Sequence, residues 1–139
     1  MKIILKENNK YIIRFDRNEE IIESLTNFCK EKNIKTGFFW GIGAAKEVDL
    51  EHYDIDKKEY SGKLIEEKLE IVDLVGNIAI MEGKIIIHFH GSFANSNLQL
   101  IGGHIKKLVI AATCEILLEV FEGKVERKYS EEIGLNLME

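Results

Sequence analysis

The chain has 139 residues, 45% of them hydrophobic and 31% charged, with a formal charge of -5. That length can bury one core without covalent staples, so residues 1–139 read as a single domain. The negative balance supplies no net field for recruiting nucleic acid phosphates, no apolar run approaches the ~20 residues of a membrane helix, and the absence of proline excludes a minor-groove hook built on Arg-Gly-Arg-Pro.

The first residues carry only short apolar runs broken by charge, unlike a secretory leader, and place the protein in the cytoplasm. Residues 2–5 and 11–15 are apolar-rich runs joined through Glu7-Asn8-Asn9, a hairpin. Asp16 offers an N-cap, with Glu19 three residues on as in a capping box. From Asn18, the apolar residues Ile21, Ile22, Leu25, Phe28 and Cys29 recur at intervals of three and four, which predicts a helix to about Lys32.

Residues 35–44 interleave Phe38, Phe39, Trp40 and Ile42 with Gly37, Gly41 and Gly43, a pattern for a strand with a bulge or a close backbone approach. The segment from Gly41 lacks the GxGxxG fingerprint of a phosphate loop; a tightly packed strand end explains it better. Residues 47–53 alternate as the next strand, and His52, alone among charges, reads as an exposed strand residue. Residues 64–75 are strand-like, Gly76-Asn77 marks a turn into 78–81, and Glu82-Gly83 marks another.

The following stretch, IIIHFHGSFANSNLQLIGGH, holds three of the four histidines. His88 and His90 stand two apart, so in a strand both imidazoles leave the same face. A polar loop over 91–97 then turns the chain, and a second apolar run ends in Gly102-Gly103-His104. Antiparallel pairing of the two runs sets His104 opposite the other two. Three neutral imidazoles converging in apolar surroundings form a metal-ligand set, most naturally for zinc.

Residues 108–121 form a long run rich in Val, Ile and Leu. An apolar run of that length is buried on both faces, which hints at packing against a second copy. Residues 125–129 return as an edge strand, and the tail from about residue 130 is expected to be loosely held. Cys29 and Cys114, without CxxC spacing, read as buried free thiols. The strands outnumber the one clear helix, so the fold is α+β: a mostly antiparallel sheet with one principal helix packed on it.

Several segments together resemble the PPC domain, a family shared by plants and prokaryotes. They are Gly41-Ile42-Gly43-Ala44, then Val48-Asp49-Leu50 with Tyr53-Asp54, then the run from Leu69 through Gly76-Asn77-Ile78. Gly83-Lys84, His88-Phe89-His90, Gly102-Gly103-His104 and Ala112-Thr113-Cys114-Glu115 follow in the family's order. The resemblance implies a trimer-forming α+β fold with the histidine strand near subunit interfaces, and partners that include the chain itself, DNA or other regulators. It also carries a metal-ligand role onto His88, His90 and His104. The chain departs from the plant pattern at Glu67-Lys68-Leu69-Glu70-Ile71, where an Arg is missing, and at Asn95-Ser96-Asn97, which lacks the usual acidic-glycine turn.

The functional expectation is a DNA-binding or regulatory protein carrying a three-histidine zinc site. Two alternatives stand beside it: a metal-dependent hydrolase or lyase, and a trimeric interaction scaffold. Glu115 is the candidate general base for an enzyme, but it is better read as a buried carboxylate orienting one of the imidazoles.

Overall fold

A computed structural model describes all of residues 1–139. The elements run β1 (Lys2–Glu7), β2 (Lys10–Asp16), α1 (Ile21–Glu31), β3 (Gly37–Asp54), β4 (Glu59–Ile65), β5 (Leu69–Met81), β6 (Lys84–Ala94), β7 (Leu100–Val120), β8 (Arg127–Ser130) and β9 (Leu135–Met138). This is the expected α+β architecture, with every named strand pairing antiparallel.

Two long strands organise the sheet. β7 pairs with β3 along one edge; along its other edge it meets β6 near its start and β2 near its end. β3 in turn holds β5 and then β4 on the edge away from β7. Because β5 also pairs with β6, the pairings β3–β5–β6–β7–β3 close on themselves. Closure buries the inward side chains from every direction, which explains why Phe39, Phe89, Leu74 and Ile105 are almost wholly inaccessible. Phe39 and Phe89 pack at a ring separation of 5.8 Å, and α1 lies against β6 and β7.

α1 buries Ile21, Leu25, Phe28 and Cys29, the stripe that the spacing predicts. Its start differs from the expectation. Asp16 ends β2, with its carboxylate engaged by Arg14 at 2.9 Å and Lys2 at 3.3 Å. Glu19 still reaches back to the Asp16 amide at 2.6 Å, but that bond closes a turn before the helix. The cap is Glu20, which accepts from the amides of Ile22 and Glu23 and so satisfies two donors of the first turn.

Three predicted breaks are absent. Residues 35–44 and 47–53 belong to one strand, β3, whose register shifts between Gly43 and Ala45 and again between Ala45 and Glu47. A Cβ on Gly43 would strike the Thr113 carbonyl and Cys114 of β7, the close approach its neighbourhood foretells. Gly76-Asn77 does not turn; β5 runs through it, and the missing side chain of Gly76 admits the Phe39 ring and the Phe89 Cβ. β7 likewise continues from Leu100 past His104 to Val120; both faces are buried at Leu108, Val109 and Ile110, and burial alternates from Cys114 to Leu118.

Other signals hold. Glu82 and Gly83 take φ of 50° and 76°, the paired left-handed turn that joins β5 to β6. Cys29 and Cys114 are buried free thiols, each pushed up to about 12 by burial. Residues 125–129 do not add an edge strand to the main sheet; β8 pairs with β9 instead. The segment after 130, expected to be loosely held, is this second hairpin. It is tied down where Tyr53 donates to the Ile133 carbonyl at 2.9 Å and Lys58 to the Glu131 carbonyl at 2.5 Å.

Candidate metal centre

Inward Phe89, 1% exposed, fixes the facing of β6. With that ring locked in the core, His88 and His90 must leave the opposite face. The β6–β7 turn is tighter and later than the predicted loop over 91–97. β6 extends to Ala94, and the Asn95 side chain accepts from the amides of Asn97 and Gln99 at 2.9 and 3.0 Å. This turn sets the register that pairs His90 with His104 and Gly91 with Gly103.

The three imidazoles converge. Ring centroids are separated by 5.2 Å for His88 and His90, 5.0 Å for His88 and His104, and 5.4 Å for His90 and His104. One nitrogen from each lies within 4.8 Å of the other two. Nitrogens bound tetrahedrally to one ion at ~2.0–2.1 Å are roughly 3.4 Å apart, a contraction that rotation of the rings can supply. His52, on β3, is exposed and outside the cluster.

The electrostatics favour neutral ligands. Burial chiefly, then the Arg127 guanidinium and the other two imidazoles, brings His88 down to about 4. His104 is lowered by burial and by His90, with Glu51 pulling the other way. Both therefore offer lone pairs at neutral pH, which is what a divalent ion requires. The donor set fits zinc in kind: nitrogen ligands, three of them, and room for one more.

Several neighbours escape sequence reasoning. Arg127, on β8, places Nη2 3.1 Å from His88 Nδ1 and donates to Asn77 Oδ1 at 2.8 Å. A guanidinium only donates, so Nδ1 accepts here and the proton of neutral His88 sits on Nε2. Ligation by His88 thus requires its ring to rotate, or Nδ1 to exchange Arg127 for the ion. Glu51 lies opposite His104 across β3 and β7, with Lys106 Nζ at 3.1 Å. The Tyr60 ring is 5.9 Å from that of His104. Nothing local in the sequence marks these residues, because each arrives through pairing between distant segments.

Glu115 is not among them. It is exposed far down β7, opposite Arg14 and Ile42, and accepts from Thr113 Oγ1 at 3.2 Å. At roughly 3.3 Å per strand residue it can neither orient an imidazole nor serve as a base at this site. Glu51 is the carboxylate that the pairing places beside His104.

A family model described as the Plants and Prokaryotes Conserved (PCC) domain matches residues 4–122. Among solved structures, a "putative dna binding protein" from Bacteroides thetaiotaomicron is 32% identical with a TM-score of 0.93, covering 97% of this chain and 94% of its own. A plant- and prokaryote-conserved protein from Pyrococcus horikoshii is 32% identical with a TM-score of 0.88, over 95% and 92% of the two chains. A metal-containing protein from Archaeoglobus fulgidus is 28% identical with a TM-score of 0.87, over 99% of both. No curated protein matches the chain.

Proposed function

The chain belongs to the Plants and Prokaryotes Conserved domain family, and from that premise we propose that it is a metal-binding member holding one zinc ion per chain through His88, His90 and His104. The observation that carries this reading is the convergence of three imidazoles from two paired strands. The Archaeoglobus relative described as metal-containing supports it. Zinc is preferred because it suits an all-imidazole donor set and imposes no geometry of its own. When bound with one position open, such an ion supplies a Lewis acid and lowers the pKa of a bound water toward ~7. The chain's part is to present the imidazoles, with Glu51 beside His104 and with Arg127, itself held by Asn77, bonded to His88 Nδ1 until the ion takes its place.

The same reading makes the protein a cytoplasmic homotrimer. A row of paired residues, Leu5, Ile12, Leu117, Trp40 and Val75, crosses the sheet and ends at His90. All are exposed in the single chain, Trp40 at 44%. Contiguous apolar surface of this kind is what self-association buries.

The test is elemental analysis of untagged protein beside native mass determination, repeated on a His88→Ala/His104→Ala double variant. About one zinc per chain, lost in the variant, is expected. Absence of metal from protein refolded with zinc overturns the reading.

A second reading, a DNA-binding regulator, is favoured by the description of the Bacteroides relative. The charge of -5 opposes it, and so does the pairing of Lys10, Lys106, Lys107, Lys124 and Lys128 with carboxylates. Duplex affinity that falls steeply with salt would favour it; each phosphate contact contributes a slope of roughly -0.9.

A further inference from the structure

Arg127 has no carboxylate partner. Its guanidinium is partly buried and within bonding reach of three neutral acceptors: the Asn136 carbonyl at 2.8 Å, Asn77 Oδ1 at 2.8 Å and His88 Nδ1 at 3.1 Å. Its Nε is buried and bonds to nothing. No aspartate or glutamate of the chain forms an ion pair with it, although the exposed lysines nearby do find such partners. A cation drawn out of water without a counter-charge is costly to keep. Asn77 and the β9 backbone hold it in place all the same.

The cavity that Arg127 borders explains what it faces. Between the β8–β9 hairpin and the histidine strands lies a space of ≈ 370 Å³, lined by His88, His104 and Arg127 on its polar side. Met81, Ile86, Leu135 and Leu137 form its apolar side. The volume lies within the range of small-molecule sites, and the lining has their usual form: mostly apolar, with a few converging polar groups. Nη1 carries two N–H groups and gives one to the Asn136 carbonyl, and a planar guanidinium with an N–H to spare matches a carboxylate better than a neutral or cationic group.

We infer that this cavity binds a small aliphatic carboxylate, whose anionic end meets Arg127 and whose hydrocarbon part lies against Ile86, Leu135 and Leu137. Arg127 supplies the counter-charge; the hairpin supplies the apolar wall. Zinc held by the histidines would share this cavity with the carboxylate, because His88 and His104 line it together with Arg127, and this part of the inference rests on the zinc reading above. The Arg127 contact itself does not.

The experiment is a titration of isotope-labelled protein with butyrate, butyramide and inorganic phosphate, followed by amide and methyl NMR in zinc-loaded and zinc-free forms. Butyrate is expected to shift the Ile86, Leu135 and Leu137 methyls saturably, with butyramide at least tenfold weaker because it lacks the charge. Arg127→Met should weaken butyrate at least tenfold. Leu135→Trp, which leaves the guanidinium intact and fills the apolar side, should weaken butyrate and spare phosphate. Phosphate binding as tightly as butyrate, with no methyl shifts, would make the site one for inorganic anions and overturn the carboxylate assignment. Equal response to butyrate and butyramide, or none to butyrate in either form, also overturns it. Failure to take up zinc defeats the metal reading alone, because butyrate binding by the zinc-free protein, lost in Arg127→Met, still supports the carboxylate site.

Discussion

Replacing His88 with Asn tests how far this site governs stability, because the titration of that imidazole is tied to folding. Asn keeps an acceptor for Arg127 near the position of the imidazole Nδ1 and removes the proton-binding group. In the unfolded chain a histidine titrates near ~6.5; in the fold, burial first and the neighbouring cations second lower His88 to about 4. Between those values the unfolded chain takes up a proton that the folded one refuses. Stability is therefore fullest above ~6.5, falls as the pH drops, and levels off below about 4. From pH 7.5 to 5, linkage sets an upper value of about 2 kcal/mol for the loss, and solvent reaching the half-buried ring reduces it toward ~1 kcal/mol. Urea denaturation of metal-free parent and His88→Asn at both pH values is the assay. The parent midpoint should fall by roughly 0.5–1 M more than the variant's. An equal fall in both proteins would refute the argument, since His104 and the carboxylates remain in each.

Further outcomes follow from the packing. Gly76→Ala should lose about 1–3 kcal/mol in thermal or denaturant unfolding, because its methyl would strike the Phe39 ring and the Phe89 Cβ; an unchanged midpoint would show that β5 and its neighbours yield at no cost. Trp40→Glu should turn the proposed trimer into single chains by sedimentation and leave the proposed zinc uptake in place. An unchanged mass would remove the apolar row from the interface. Tyr53→Phe deletes the bond to the Ile133 carbonyl and should cost about 1 kcal/mol, read as faster hydrogen exchange over 133–138 with β3 and β7 unaffected.

Local pattern was enough for much of this molecule. The three-and-four spacing of Ile21, Leu25, Phe28 and Cys29 marks a helix because periodicity is a property of the segment alone. The His-Phe-His triplet is legible for the same reason: alternation puts Phe89 inward and both imidazoles outward wherever the strand ends up. Glycine was ambiguous. At Gly83 it signals a turn, and φ is indeed positive there; at Gly76 the same residue type marks the middle of a strand, because only a partner's ring decides whether the missing side chain serves a turn or a contact.

The sequence by itself determined the fold class, the facing of His88 and His90, and the candidacy of His104 as their companion. Tertiary structure alone decided what surrounds them. Glu115 was the candidate carboxylate, yet β7 is one extended element and carries it away from the imidazoles. Glu51 and Arg127 arrive instead, the first by register between β3 and β7, the second through a hairpin that lies against Asn77. Register depends on the sum of contacts along two strands, and a lone arginine carries no local sign of the cavity it will border. The histidine triad belongs to a short segment and can be read there; its electrostatic setting is made by residues far apart in the chain and exists only once the ring of strands has closed.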